Sequence, residues 1–179
     1  MPEPTYILDA NWWSFLFLSG HADSFAQAMG TVRCMIPTEI RDEVDHIPSR
    51  QGAFSTWCHS DGRALQVVDL LAGSAEQQLL SALMRASANP GKDLGERACI
   101  ALASGDPSRV FVNHDKGACF LALRELPLHP QPVCSIAAFL RRLGDRRLLS
   151  RVAIEAIAHR ARQSQSPPTW WSSWLPTVP

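Results

Sequence analysis

A chain of 179 residues is the length of one domain, or of one domain with a helical appendage. Its 46% hydrophobic and 19% charged residues are ordinary for a globular protein. Seventeen basic residues balance seventeen acidic ones, so bulk charge excludes neither an acidic nor a basic partner and names none. The start, Met1-Pro2-Glu3-Pro4, lacks the basic and apolar regions of a signal peptide. The apolar run Trp12–Leu18 is too short to span a bilayer, so a cytoplasmic chain with no membrane segment is expected. Five cysteines (Cys34, Cys58, Cys99, Cys119, Cys134) are odd in number and show no C-x-x-C spacing, a pattern that fits reduced thiols. A zinc site from Cys58, His59 and a distant cysteine has little support in such spacing.

Taken in order, Thr5-Tyr6-Ile7-Leu8 is a β-prone apolar run that ends abruptly in Asp9-Ala10-Asn11. Short helices are predicted over Trp12–Leu18 and Ala22–Met29, then a strand over Val32–Ile36 closed by Pro37. Thr38 is placed to cap a helix running to about Asp45. Residues 47–63 read as a loop with a short helical piece, and Leu65-Gln66-Val67-Val68 as an edge or additional strand. Helices follow from Ser74 and over Leu94–Ser104, separated by Asn89-Pro90-Gly91. Val110–Val112 is a short buried strand leading to Asn113-His114-Asp115 and a helix over Lys116–Leu123. An extended Pro127–Pro132 precedes helices around Ile136–Leu143 and Leu148–Gln163. Strands separated by helices predict an α/β sandwich with a mostly parallel central sheet flanked by helices. No internal repeat, heptad seam or phosphate-binding glycine motif is present.

Acids at the carboxyl ends of parallel strands open onto the crevice where such sheets bind ligands. Asp9 and Asp115 stand at two strand ends, and Glu43 and Glu96 lie on helices nearby in the order of the chain. Each has a structural reading beside the functional one. Asp9 and Asp115 can cap the helices that follow them. Glu43 can belong to a solvated helix face, since Ile40 and Val44 form the buried stripe. Asp93-Leu94-Gly95-Glu96 has the form of a capping box, in which Asp93 caps and Glu96 reaches back. Asp61 and Asp69 read as loop and strand-end acids.

The order strand–Asp, strand–helix–Glu, helix Gly-Glu, strand–Asn-His-Asp resembles the PIN-domain family of metal-dependent ribonucleases, which includes toxins of toxin–antitoxin pairs. The matching stretches are Ile7–Asn11, Ile36-Pro37 through Glu43-Val44, Leu94–Ala103 and Val110–Asp115. The resemblance implies a PIN-like three-layer sandwich over residues 1–145, followed by a C-terminal helix and tryptophan-rich tail over 146–179. It implies Asp9, Glu43, Glu96 and Asp115 as catalytic and metal-binding acids, with Asn11 in support. The implied cofactor is Mg²⁺ or Mn²⁺, hard cations that prefer oxygen ligands and keep several waters. Two departures stand out: many relatives carry a further acid where this chain has Ala98 or Cys99, and an acidic or hydroxyl residue where His114 stands.

The activity implied is hydrolysis of RNA phosphodiester bonds; the alternative is a catalytically silent PIN-like module that binds RNA or protein. His114 and Lys116 are placed to contact phosphate, His114 alternatively serving as a turn residue. Arg141, Arg142, Arg146, Arg147, Arg151, Arg160 and Arg162 form a late basic group that either meets RNA or is a solvated helix surface. Trp170, Trp171 and Trp174 either seal the domain or anchor a partner, such as an antitoxin or a second copy of the chain.

Overall fold

A computed structural model of the chain describes residues 3–46, 53–58, 65–89 and 92–163. Its centre is a five-stranded sheet in the order β3-β2-β1-β4-β5, built from β1 (Thr5–Leu8), β2 (Cys34–Pro37), β3 (Leu65–Val68), β4 (Arg109–Asn113) and β5 (Val133–Ser135). Every pairing is parallel, so the expected mostly parallel sheet is found. Parallel strands covered on both faces need continuous apolar runs rather than alternation. Tyr6-Ile7-Leu8 and Val110-Phe111-Val112 supply them, all buried.

Nine helices are described: α1 (Ala10–Leu18), α2 (Ala22–Ala28), α3 (Thr38–Asp45), α4 (Ala53–Cys58), α5 (Ala75–Arg85), α6 (Leu94–Ser104), α7 (Lys116–Glu125), α8 (Ile136–Asp145) and α9 (Arg151–Arg162). The path β1→β2→β3 crosses the sheet in one direction and β3→β4→β5 in the other. Right-handed crossovers then put the connecting helices of the two halves on opposite faces. Accordingly α5, α6 and α7 pack in one group, α1, α8 and α9 in another, and α3 touches both α1 and α6. The three-layer α/β arrangement expected from the sequence is therefore present.

One apolar core runs through most of these layers. On one face Trp12 meets Phe25 and Phe139 edge-on, each with ring centroids 5.0 Å away, and Tyr6 lies 4.7 Å from Phe139. Trp13 contacts Phe54 and Trp57, tying α4 to α1. Helix α9 buries Ala153, Ile154, Ile157, Ala158 and Ala161 in this same core. No helix among the described residues is long and apolar enough to cross a membrane.

Several element boundaries differ from expectation for local reasons. Strand β2 begins at Cys34, because the N–H groups of Thr31 and Val32 still donate to Ala28 O and close the turn after α2. Thr38 does not cap α3: Pro37 is the N-cap residue, and the Thr38 hydroxyl donates to the Asp69 carboxylate and Val68 O across the sheet edge. Strand β5 was expected only as an extended approach; its three residues gain strand character by pairing with β4. Helix α9 starts at Arg151 rather than Leu148. Arg147 adopts φ 56°, Arg147 N–H donates to Gly144 O and Leu148 N–H to Leu143 O, a Schellman closure that ends α8. Ser150 then caps α9 by accepting from Ala153 N. Asp61, His59 and Trp170, Trp171 and Trp174 lie outside the described residues. None of the five cysteines forms a disulfide.

Candidate functional site

In doubly wound sheets ligands bind outside the carboxyl ends of the strands where the winding direction reverses. Here that point lies between β1 and β4, which pair with Leu8 opposite Val112. The residues next out of the sheet are Asp9 on one strand and Asn113, His114 and Asp115 on the other. Helices α3 and α6 bring Glu43 and Glu96 to the same edge, and a cleft of about 570 Å³ is lined by Asp9, Asn11, Glu39, Glu43, Asp93 and Glu96, among others. Asp115 lies in an adjoining cleft that shares Asp93 and Glu96 with the first.

The strand-end acids are caps, as the structural reading had it. Asp9 Oδ2 accepts from Asn11 N at 3.3 Å and from Asn11 Nδ2 at 2.9 Å, so Asn11 supports Asp9 directly. Asp115 Oδ1 accepts from Ala118 N at 2.9 Å. Capping does not account for their surroundings. Asp9 is almost wholly buried, and that burial pushes its carboxyl up to about 6 despite the hydrogen bonds from Asn11, with the charge of Asp115 adding to the rise.

Glu96 is pushed up to about 8, first by burial and then by the charges of Asp9 and Asp115. Glu43 stays exposed along the cleft, yet partial burial, Asp9 and Asp93 push it up to about 7. Asp9 therefore bears on both glutamates, and Asp115 on Asp9 and Glu96. Among the described residues, no group of three or more His, Cys, Asp or Glu side chains stands close enough together to enclose an ion. Mg²⁺ needs only one or two carboxylates, the rest of its shell being water. An all-oxygen donor set with three carboxyls whose charged form is disfavoured, first by burial and then by neighbouring acids, suits a hard cation, because a cation, like a proton, offsets a buried negative charge.

The capping box does not form. Asp93 takes a left-handed conformation (φ 58°) that makes no side-chain cap, and its carboxylate lies 3.9 Å from the Arg97 guanidinium. Glu96, released from that role, accepts from Asn113 Nδ2 at 3.4 Å. On the other side of α6, Gly95 lies against α3, where a Cβ would make the Glu43 carboxylate and Ile40 Cδ1 shift.

Three participants escaped sequence reasoning. Asn113 is fully buried; its Oδ1 accepts from His114 N at 2.6 Å and Asp115 N at 2.7 Å while its amide reaches Glu96, so one side chain sets the whole strand end. The signal was a polar amide closing an apolar strand. Glu39 lines the cleft with a buried Oε2 that has no hydrogen-bond partner among the described residues, and its spacing to Glu43 (i,i+4) was the available clue. Asp93 adds its charge to both Glu43 and Glu96.

The two positions that might have carried a further acid differ. Ala98 packs with Leu80 and Ala101 in a small separate cluster, away from the acids. Cys99 is fully buried beneath them, its Sγ 4.0 Å from Leu8 O, and burial together with the charges of Asp9, Glu96, Glu43 and Glu39 raises its thiol far above the usual range. His114 is not on the surface: its ring is buried edge-on to Phe15 at 5.3 Å, and burial lowers its basicity. The late arginines are not all beside the acids either. Arg142 donates to the Tyr6 hydroxyl and Gln131, and Arg146 pairs with Glu3, both at the amino-terminal edge of the sheet.

Comparison with models of known protein families, with curated proteins and with solved structures found no match.

Proposed function

We propose that this chain is a metal-dependent endoribonuclease of the PIN type, working through Mg²⁺ or Mn²⁺ in its acidic clefts, where Asp9, Glu43, Glu96 and Asp115 would offer an ion one or two carboxylates at a time and water would complete its shell. The observation that carries the reading is the exit of β1 into Asp9 and of β4 into Asn113-His114-Asp115 at the reversal of strand order, with the charges of Asp9 and Asp115 both bearing on Glu96 and that of Asp9 on Glu43. A bound divalent ion would supply a more acidic water as nucleophile and charge stabilisation for the phosphodiester. The chain's own residues do the rest. Asn113 and Asn11 fix the orientation of Glu96 and Asp9 by hydrogen bonds. Burial of Asp9 on a rigid strand end holds the acid without rotamer freedom, as positioning for in-line attack requires. Glu96, with its carboxyl raised to about 8, holds or releases a proton near neutrality at the edge shared by both clefts.

A second reading, a silent RNA- or protein-binding module, draws on the separation of the acids and on Cys99 standing where a further acid would strengthen the set. One experiment separates the two: incubation of a mixed single-stranded RNA pool with Mn²⁺, comparing wild type, Asp9→Asn and an EDTA control. Cleavage by wild type alone supports the nuclease. Cleavage that persists in Asp9→Asn, or none in any sample together with no stabilisation by Mn²⁺, overturns it.

A further inference from the structure

The geometry points to the cleft along α7 as the seat of one unpaired nucleotide beside the scissile bond, its base stacked on Phe120 and its backbone next to Lys116 and Arg124. The identity of the strand rests on the nuclease reading above. This cleft, of about 470 Å³, is lined by Asp93, Glu96 and Asp115 and also by Phe120 and Arg124, which lie further along α7. Because Asp93 and Glu96 also line the first cleft, a strand crossing the acids passes directly into it.

Phe120 is the feature that asks for an occupant. Helix α7 meets the fold through Ala118 and Ala122, whereas the Phe120 ring is 60% exposed and contributes little to the core. It lies five residues past Asp115, roughly 7.5 Å along the helix axis. The Lys116 ammonium stands 5.7 Å from the ring centroid, a cation–π contact that brings positive charge to the same spot.

The arginines of the cleft have different roles. Arg97 is a wall: it donates to Lys92 O at 2.6 Å and Ser87 Oγ at 3.0 Å and is little exposed. Arg124 is 69% exposed and pairs along the helix surface with its neighbour Glu125, a bond that a phosphate can replace at small cost. Cations beside an exposed aromatic ring are the pairing that single-stranded nucleic acid uses, charge for the backbone and a π-face for the base. Bases within a duplex are already stacked and paired, so the ring discriminates for unpaired RNA and is tolerant of sequence.

The test is fluorescence anisotropy with the full chain in Ca²⁺, using a labelled single-stranded oligoribonucleotide and the same strand annealed to its complement. Wild type should prefer the single strand. Phe120→Ala should weaken that binding about 5- to 140-fold, the range of one lost base–aromatic stack, and Phe120→Trp should retain it. Equal binding by Phe120→Ala and wild type, or equal affinity for duplex and single strand, overturns the inference. So does loss of a dimer in sedimentation of Phe120→Ala with RNA binding unchanged, which would assign the face to a second copy. Phe120-dependent binding without cleavage by any form would defeat the nuclease reading alone. Asp9-dependent cleavage with Phe120→Ala binding as well as wild type would defeat the cleft alone.

Discussion

Replacing Asp9 by asparagine tests whether this capping acid is also a charge held under strain. Its carboxyl moves from an ordinary 3.8 to about 6 on folding, mainly through burial. The folded chain therefore binds the proton more tightly than the unfolded one. Stability from this group is fully present below about pH 4 and is lost as pH rises through about 6. A rise of about two units corresponds to roughly 3 kcal/mol at pH 8. Asparagine preserves the cap, since Asn and Asp serve almost equally as N-cap residues, and its Oδ1 can still accept from Asn11. In EDTA at pH 8, Asp9→Asn should thus be more stable than wild type by about 2–3 kcal/mol, a gain in Tm of roughly 5–10 °C. At pH 4 the two proteins should melt together. Thermal and guanidinium unfolding at the two pH values measures both. Should the substitution destabilise the fold at pH 8, or change it equally at both pH values, the strained-charge argument is wrong.

Two further outcomes follow from the same site. Gly95→Ala should fail to gain the roughly 1 kcal/mol that alanine brings to a helix interior, because its Cβ would displace the Glu43 carboxylate and the Cδ1 of Ile40, a buried side chain; a gain of the full amount in guanidinium unfolding would show that both side chains turn aside freely. Mn²⁺ affinity, measured by calorimetry, should rise at least about tenfold from pH 6 to pH 8, since Glu43 and Glu96 (raised to about 7 and 8) must shed protons to the cation. Solvent screening at the exposed Glu43 trims its share, so Glu96 should dominate, and a flat pH profile would remove both from the site.

The sequence by itself determined the elements with strong local signatures. Tyr6-Ile7-Leu8 and Val110–Val112 are too apolar for one-sided strands, and Ser74, Asp9 and Asp115 mark helix starts through caps that involve only neighbouring residues. The same locality made the acids at strand ends visible as candidates. Tertiary structure decided what local chemistry leaves open. Strand β5 has three residues and becomes a strand only because β4 offers its edge. Asp93-x-x-Glu96 is a capping box on paper, yet the left-handed turn at Asp93 and the arrival of Asn113 from β4 give Glu96 a different partner. Asn113, Glu39 and Gly95 matter through residues far along the chain, and Phe54 and Trp57 read as loop aromatics until Trp13 packs against them. Burial depends on which elements meet. Asp9 was legible as an acid, but its raised affinity for a proton came only with the walls of the cleft.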